Sequence, residues 1–205
     1  MNILIVYCHP SKKSFTYQVF DRLLNGLKTS GHKVTVSDLY EMNFQSDMSE
    51  IEYEREGFVN LEKQLPNDIL NEHRKIQESD GIIFIYPIWW SDCPAKLKGW
   101  FDRVYSVGYA YGYDSVGNKQ IKMKKQKLGL VLCTAGHPNE FLDEVGIAES
   151  MRNVMIDDRL GQRFEYKHMI ILGGTLDIDK VKENHLTKAY KIGENIENYC
   201  AQQCV

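Results

Sequence analysis

Apolar residues fall in four nearly continuous runs, at 3–7, 81–86, 128–133 and 168–172. A fifth, weaker run at 33–36 alternates polar and apolar positions. Runs without alternation suit strands covered on both faces, as in a parallel sheet. Between the runs the apolar spacing becomes helical. Within Phe15–Thr29, the residues Val19, Phe20, Leu23, Leu24 and Leu27 lie along one stripe, and Gly31 ends the pattern. Asn67–Glu78 and residues 95–105, about 140–155 and about 179–202 read as further helices.

Strands that alternate with helices imply right-handed crossovers and a doubly wound α/β sheet. Five strands favour the flavodoxin-like order 2-1-3-4-5 over a longer dinucleotide-binding fold. No linker, repeat or low-complexity tract divides the 205 residues, so residues 1–205 read as one domain. One segment fits poorly. The stretch at about 41–65 is polar, rich in Glu and too long for a simple connection. It is either a functional lid or partner contact, or a solvated excursion.

Composition narrows the class. A hydrophobic content of 43% and a charged content of 26% are ordinary for a globular protein. A net charge of −3 gives no electrostatic reason to expect nucleic acid. No apolar run approaches the length of a membrane span. The N-terminus lacks the basic region and cleavage site of a secretory signal and reads as a first strand. The five cysteines, Cys8, Cys93, Cys133, Cys200 and Cys204, are odd in number and widely spaced, which points to a reducing cytoplasm. Cys200 and Cys204 stand one helical turn apart, but no second Cys/His pair has zinc-like spacing, so no metal is expected.

In a sheet of this order, ligands bind at the carboxyl ends of the strands where the order reverses. Three loops lie there. The first, CHPSKKSFT, places Ser14 at a helix N-cap with Thr16 in the first turn, beside His9, Lys12 and Lys13. Free amides, hydroxyls and the helix dipole there suit a phosphate, although a merely capped helix has the same pattern. The second, PIWWSDCP, holds Trp89 and Trp90 between Pro87 and Pro94. Two indoles on a stiffened turn offer a stacking platform for a flat ring, unless both pack onto the helix carrying Trp100 and Phe101. Cys93 beside them is either a redox thiol or a buried filler. The third loop, Thr134-Ala135-Gly136-His137, is small enough for close backbone approach to a ring edge.

These residues resemble the flavodoxin-fold NAD(P)H:quinone oxidoreductases, the DT-diaphorase-like group. The resemblance rests on HPSKKSFTY, SDLYEMNF, IFIYPIWWSDCPAKLKGWFDRVY and YAYGY, in the family's order, over most of the first 115 residues. It implies a flavin, with FAD weakly favoured over FMN, whose phosphates rest on His9, Ser14, Phe15 and Thr16. The isoalloxazine would lie on Pro87, Ile88, Trp89 and Trp90, with Thr134, Ala135, Gly136 and Phe141 along its other edge. It further implies NADPH or NADH as donor, a quinone, nitro or azo acceptor, ping-pong turnover, and a homodimer in which Tyr111 and Tyr113 of one copy close the substrate pocket that Trp89 and His137 line in the other. Where relatives carry a Tyr and a His proposed to take up flavin charge, this chain has Phe141 and Ile147, and Ser91 follows the tryptophans in place of an aromatic. No side chain is therefore assigned a catalytic proton. Two other readings remain. A one-electron flavodoxin-type carrier would be more acidic, and a flavin-binding regulatory subunit of a potassium efflux system would use the 41–65 segment as a partner surface.

Overall fold

The computed structural model describes residues 1–112 and 121–201. Tyr113 and Cys204 fall outside those residues.

Strands β1 (Asn2–Tyr7), β2 (Lys33–Asp38), β3 (Gly81–Pro87), β4 (Gln126–Thr134) and β5 (Phe164–Leu172) form one sheet in the order β2-β1-β3-β4-β5. Every neighbouring pair is parallel. The expected order therefore holds. β3 is buried at every position, as its unbroken apolar run requires, whereas β2 lies at the sheet edge, where Val36 is exposed and Ser37 is buried.

Side chains alternate between two cores. Ile3, Ile5, Tyr7, Ile83 and Leu130 face helices α1 (Phe15–Thr29) and α7 (Ile178–Glu194). Leu4, Val6, Phe84 and Val131 face α3 (Asn67–Glu78), α4 (Ala95–Val104) and α6 (Ile147–Arg152). Trp100 on α4 is fully buried and donates from Nε1 to Glu72 Oε2 at 2.8 Å.

Two helices expected as continuous are broken. The 140–155 segment divides into α5 (Asn139–Glu144) and α6 at Gly146, whose φ of 74° no ordinary residue adopts cheaply. A π-helix, Asn153–Leu160, then continues the chain. The C-terminal helix stops at Glu194 and ends in a 3₁₀ turn, Ile196–Cys200.

The 41–65 excursion is folded. It contains α2 (Glu50–Gly57), started by a reciprocal capping box in which Ser49 Oγ accepts from the Glu52 amide and Glu52 accepts from that of Ser49. Buried Arg103 ties the excursion to α4 and α3. It donates to Glu52 at 2.7 Å, to Asp68 at 2.7 Å and to the Gln45 carbonyl at 2.6 Å. Its ion pairs to Glu52 and Asp68 lie within the chain.

Candidate functional site

The three loops expected to converge are joined by specific contacts. Thr16 and Thr134, both buried, share a hydrogen bond between hydroxyls at 2.8 Å, which links the first loop to the end of β4. The Ile88 amide donates to the Thr134 carbonyl at 2.8 Å, linking the second loop to the third. The rings of His9 and Trp89 lie 5.9 Å apart, closing the triangle.

In the first loop, Ser14 caps α1 and its Oγ accepts from the Tyr17 amide at 3.1 Å. The amides of Phe15 and Thr16, ahead of it, point out of the helix along the positive end of its dipole. His9 Nδ1 accepts from the Ser11 amide at 3.0 Å. That bond places the ring proton on Nε2, and burial lowers the pKa, so the ring is a neutral donor. Together these groups suit an anion.

The second loop is strained. Trp89 and Asp92 exchange backbone hydrogen bonds at 3.0 and 3.2 Å, and the two residues between them, Trp90 and Ser91, have φ of 49° and 63°. A two-residue turn with both φ values positive normally takes Asn-Gly. Each non-glycine residue there costs about 1–2 kcal/mol. The turn leaves Trp90 101% and Trp89 42% exposed, so neither indole is part of the core. Pro87 is buried and Ile88 half-buried beneath them. Cys93 is buried, and burial pushes its thiol up to about 12. That favours the filler reading over a redox thiol.

The third loop spends one amide internally. Ala135 N donates to the Leu172 carbonyl at 3.0 Å, while the Ala135 carbonyl accepts from Thr175 Oγ1 at 2.8 Å. Among the described residues, the amides of Gly136 and His137 have no acceptor in the protein. His137 and Phe141 are exposed, with rings 4.5 Å apart. Ile147 packs against the core, and the side chains of Phe141 and Ile147 are hydrocarbon and carry no titratable group.

The segment after β5 was not anticipated from the sequence. Leu176 stands beside Gly136 and is 78% exposed. His185 donates from Nε2 to the Gly173 carbonyl at 2.8 Å and stands 6.2 Å from Phe15, with its buried Nδ1 unpaired among the described residues. The only sequence signal for this wall was its place after a strand at the ligand-binding end.

Tyr111 is tied elsewhere. Its hydroxyl donates to Glu56 at 3.2 Å and its carbonyl accepts from Gly108 at 2.6 Å. The same Glu56 oxygen accepts from the Val107 amide at 2.6 Å, and Arg55 donates to the Val107 carbonyl at 3.2 Å. The excursion helix thus grips the loop that carries Tyr111. Beneath it His73 stacks on Tyr109 with centroids 3.4 Å apart and donates to the Val104 carbonyl at 2.8 Å.

Burial, with Arg55 nearby, depresses the pKa of His73 below its usual value, despite the hydrogen bond to Val104. The native state therefore holds this proton less well than the unfolded chain, and the contribution to stability is complete above the ordinary histidine pKa and is lost as pH falls through the lowered one. Denaturant titrations from about pH 7 to about pH 5 are expected to show falling stability, with a shallower fall in His73→Gln. His9 and His32 are shifted the same way, so the slope should diminish rather than vanish. Parallel slopes in parent and variant would remove His73 from the account.

Comparison with known proteins agrees with this geometry. The Flavodoxin_2 family, described as a flavodoxin-like fold, matches residues 1–190. A rat ribosyldihydronicotinamide dehydrogenase (quinone) is 36% identical over 163 residues, which cover 73% of this chain and 70% of the rat protein. The NAD(P)H:quinone oxidoreductase of Methanothermobacter marburgensis superposes with a TM-score of 0.88 at 44% identity, covering 96% of this chain and 98% of that one. An FMN-dependent NADH-azoreductase of Bacillus anthracis, solved with FMN, shares the fold at 17% identity with a TM-score of 0.69, covering 95% and 98%.

Proposed function

Because the chain belongs to the Flavodoxin_2 family, whose match spans residues 1–190, we propose that it is a flavin-dependent NAD(P)H dehydrogenase acting on a quinone or a similar small acceptor. The observation that carries this reading is the convergence of the three loops around an exposed tryptophan turn. The names of the rat and archaeal relatives point the same way.

The residues fit a flavin nucleotide. His9 Nε2, the Phe15 and Thr16 amides and the helix dipole supply donors for phosphate. Trp89 and Trp90 supply an apolar ledge. The amides of Ile88 and Trp89 are already bonded to Thr134 and Asp92, so this ledge holds a ring by stacking rather than by those donors. The amides of Gly136 and His137 would donate to a ring oxygen, where negative charge is best met by fixed donors. A flavin held there would supply the hydride chemistry, taking hydride at N5 from NAD(P)H and returning it to the acceptor in ping-pong order. Tyr111, Tyr113 and His137 would wall the acceptor side. FMN is named for the azoreductase neighbour, while the SDLYEMNF resemblance leans to FAD.

A homodimer is part of the proposal. Ile51, Tyr53 and Phe58 on and beside α2 are exposed apolar residues, on the element that grips Tyr111. A second copy would cover them.

Purified protein is expected to take up a yellow flavin, to lose that colour on anaerobic mixing with NADPH or NADH, and to regain it when a quinone is added. The mass of the released chromophore assigns FMN or FAD. A folded protein that stays colourless with both nucleotides would refute the reading.

A further inference from the structure

The turn that presents the tryptophans is held from a distance. Its last residue, Asp92, is fixed twice: through its backbone to Trp89, and through both carboxylate oxygens to Arg159 at 2.8 and 3.0 Å. Arg159 lies 67 residues away, on the π-helix Asn153–Leu160. It is 8% exposed, with its guanidinium 5.3 Å from the centroid of the Phe101 ring and its NH1 3.1 Å from Met155 Sδ. π-Helical segments are rare and tend to occur where a side chain must be placed for function. The Asp92 side chain is 46% exposed, and an ion pair that reaches water contributes little to stability. Stability alone is a weak reason for this one. Trp90 and Ser91, without glycine, need their surroundings to hold a left-handed turn.

We propose that Arg159 is a positioning residue for the ring-binding ledge, its bidentate grip on Asp92 keeping the Trp89–Asp92 turn in the strained conformation that presents Trp90. This rests on the flavin reading above. Without the grip, the turn relaxes by losing positive φ at Trp90 and Ser91, and the ledge must be rebuilt each time a ring binds. Burial alone would raise the pKa of Asp92; the hydrogen bonds from Arg159 and from the Cys93 amide hold it below the usual value, so the pair stays charged near neutrality.

The test uses Arg159→Met, which keeps a long side chain against Phe101, and Arg159→Lys, which keeps charge but cannot grip both oxygens. Dissociation constants for riboflavin and for FMN are measured on folded protein by fluorescence quenching. Both should rise by the same factor, about tenfold in Arg159→Met, because the strain is of that size and the ring, not the phosphate, sits on the turn. The near-ultraviolet dichroism of the tryptophans should change without any ligand. Ser91→Gly, which removes one of the two φ penalties, should restore most of the affinity and the spectrum in the Arg159→Met background and alter the parent by less than about twofold.

Unchanged riboflavin affinity in both Arg159 variants, or a glycine effect equal in the two backgrounds, would overturn the proposal. Should Arg159→Met fail to fold, Arg159→Lys with and without Ser91→Gly carries the same comparison. Should the parent bind neither riboflavin nor FMN, the functional reading fails, while the ligand-free dichroism still decides whether Arg159 holds the turn.

Discussion

Gly26→Val is expected to cost about 3 kcal/mol or more of stability, a large share of what a domain of this size has. Helices α1 and α7 cross at Gly26 and Gly193. A Cβ on Gly26 would lie 2.2 Å from the Tyr190 carbonyl oxygen and 2.8 Å from the Glu194 amide, and one on Gly193 would lie 2.3 Å from the Leu23 oxygen. These obstacles are backbone atoms, so no side chain can swing aside. Separating the helices would open the core formed by Leu23, Leu27, Ala189 and Ile192 against β1 and β3. Gly31→Ala is the contrasting case. A Cβ there meets nothing within 4 Å, and the cost is only that of a φ of 76°, about 1 kcal/mol. Urea titration of both variants checks the contrast. A Gly26→Val protein within about 1 kcal/mol of the parent would mean that the helices can part freely.

The crossing also shows what the sequence makes legible. The three interior strands announce themselves because each must be apolar on both faces, the edge strand β2 gives only a weak run, and the count of five favours the order found. The three loops of the site follow from that order. Distance in sequence hides the rest. Nothing near Trp90 foretells that Arg159 would hold its turn, and nothing near Arg103 foretells Glu52 and Asp68. The break at Gly146 was visible as a glycine, but helical spacing on both sides masked it. The capping box at Ser49–Glu52 was a readable signal for α2, and the polarity of the surrounding segment obscured it. The strained turn is a different kind of failure. Trp-Ser contradicts the local rule for such turns, and local rules are broken where a site requires it.

That contrast bears on the excursion, for which a lid and a solvated detour were equal alternatives. Arg103 fastens its start to α4, while Arg55 and Glu56 fasten its helix to the loop of Tyr111. A solvated detour needs neither attachment. The segment is built to hold another loop in place.

Glu56→Ala is accordingly expected to impair acceptor use more than flavin reduction. The side chains of Arg55 and Glu56 are only 9% and 11% exposed and pair at 2.5 Å. Removing the carboxylate strands the arginine charge and frees both the Val107 amide and the Tyr111 hydroxyl, at a cost of about 3–5 kcal/mol in stability. On the reading that Tyr111 walls the acceptor site, the rate at which NADPH reduces the enzyme should stay near that of the parent, while the acceptor KM rises about tenfold. Tyr111→Phe removes only the hydroxyl and should cost about 1 kcal/mol. In the double variant the two effects on acceptor KM should not add, because the tyrosine acts through the same carboxylate. Additive effects would separate Tyr111 from the clamp. A Glu56→Ala enzyme with unchanged acceptor KM would return the excursion to a purely structural role.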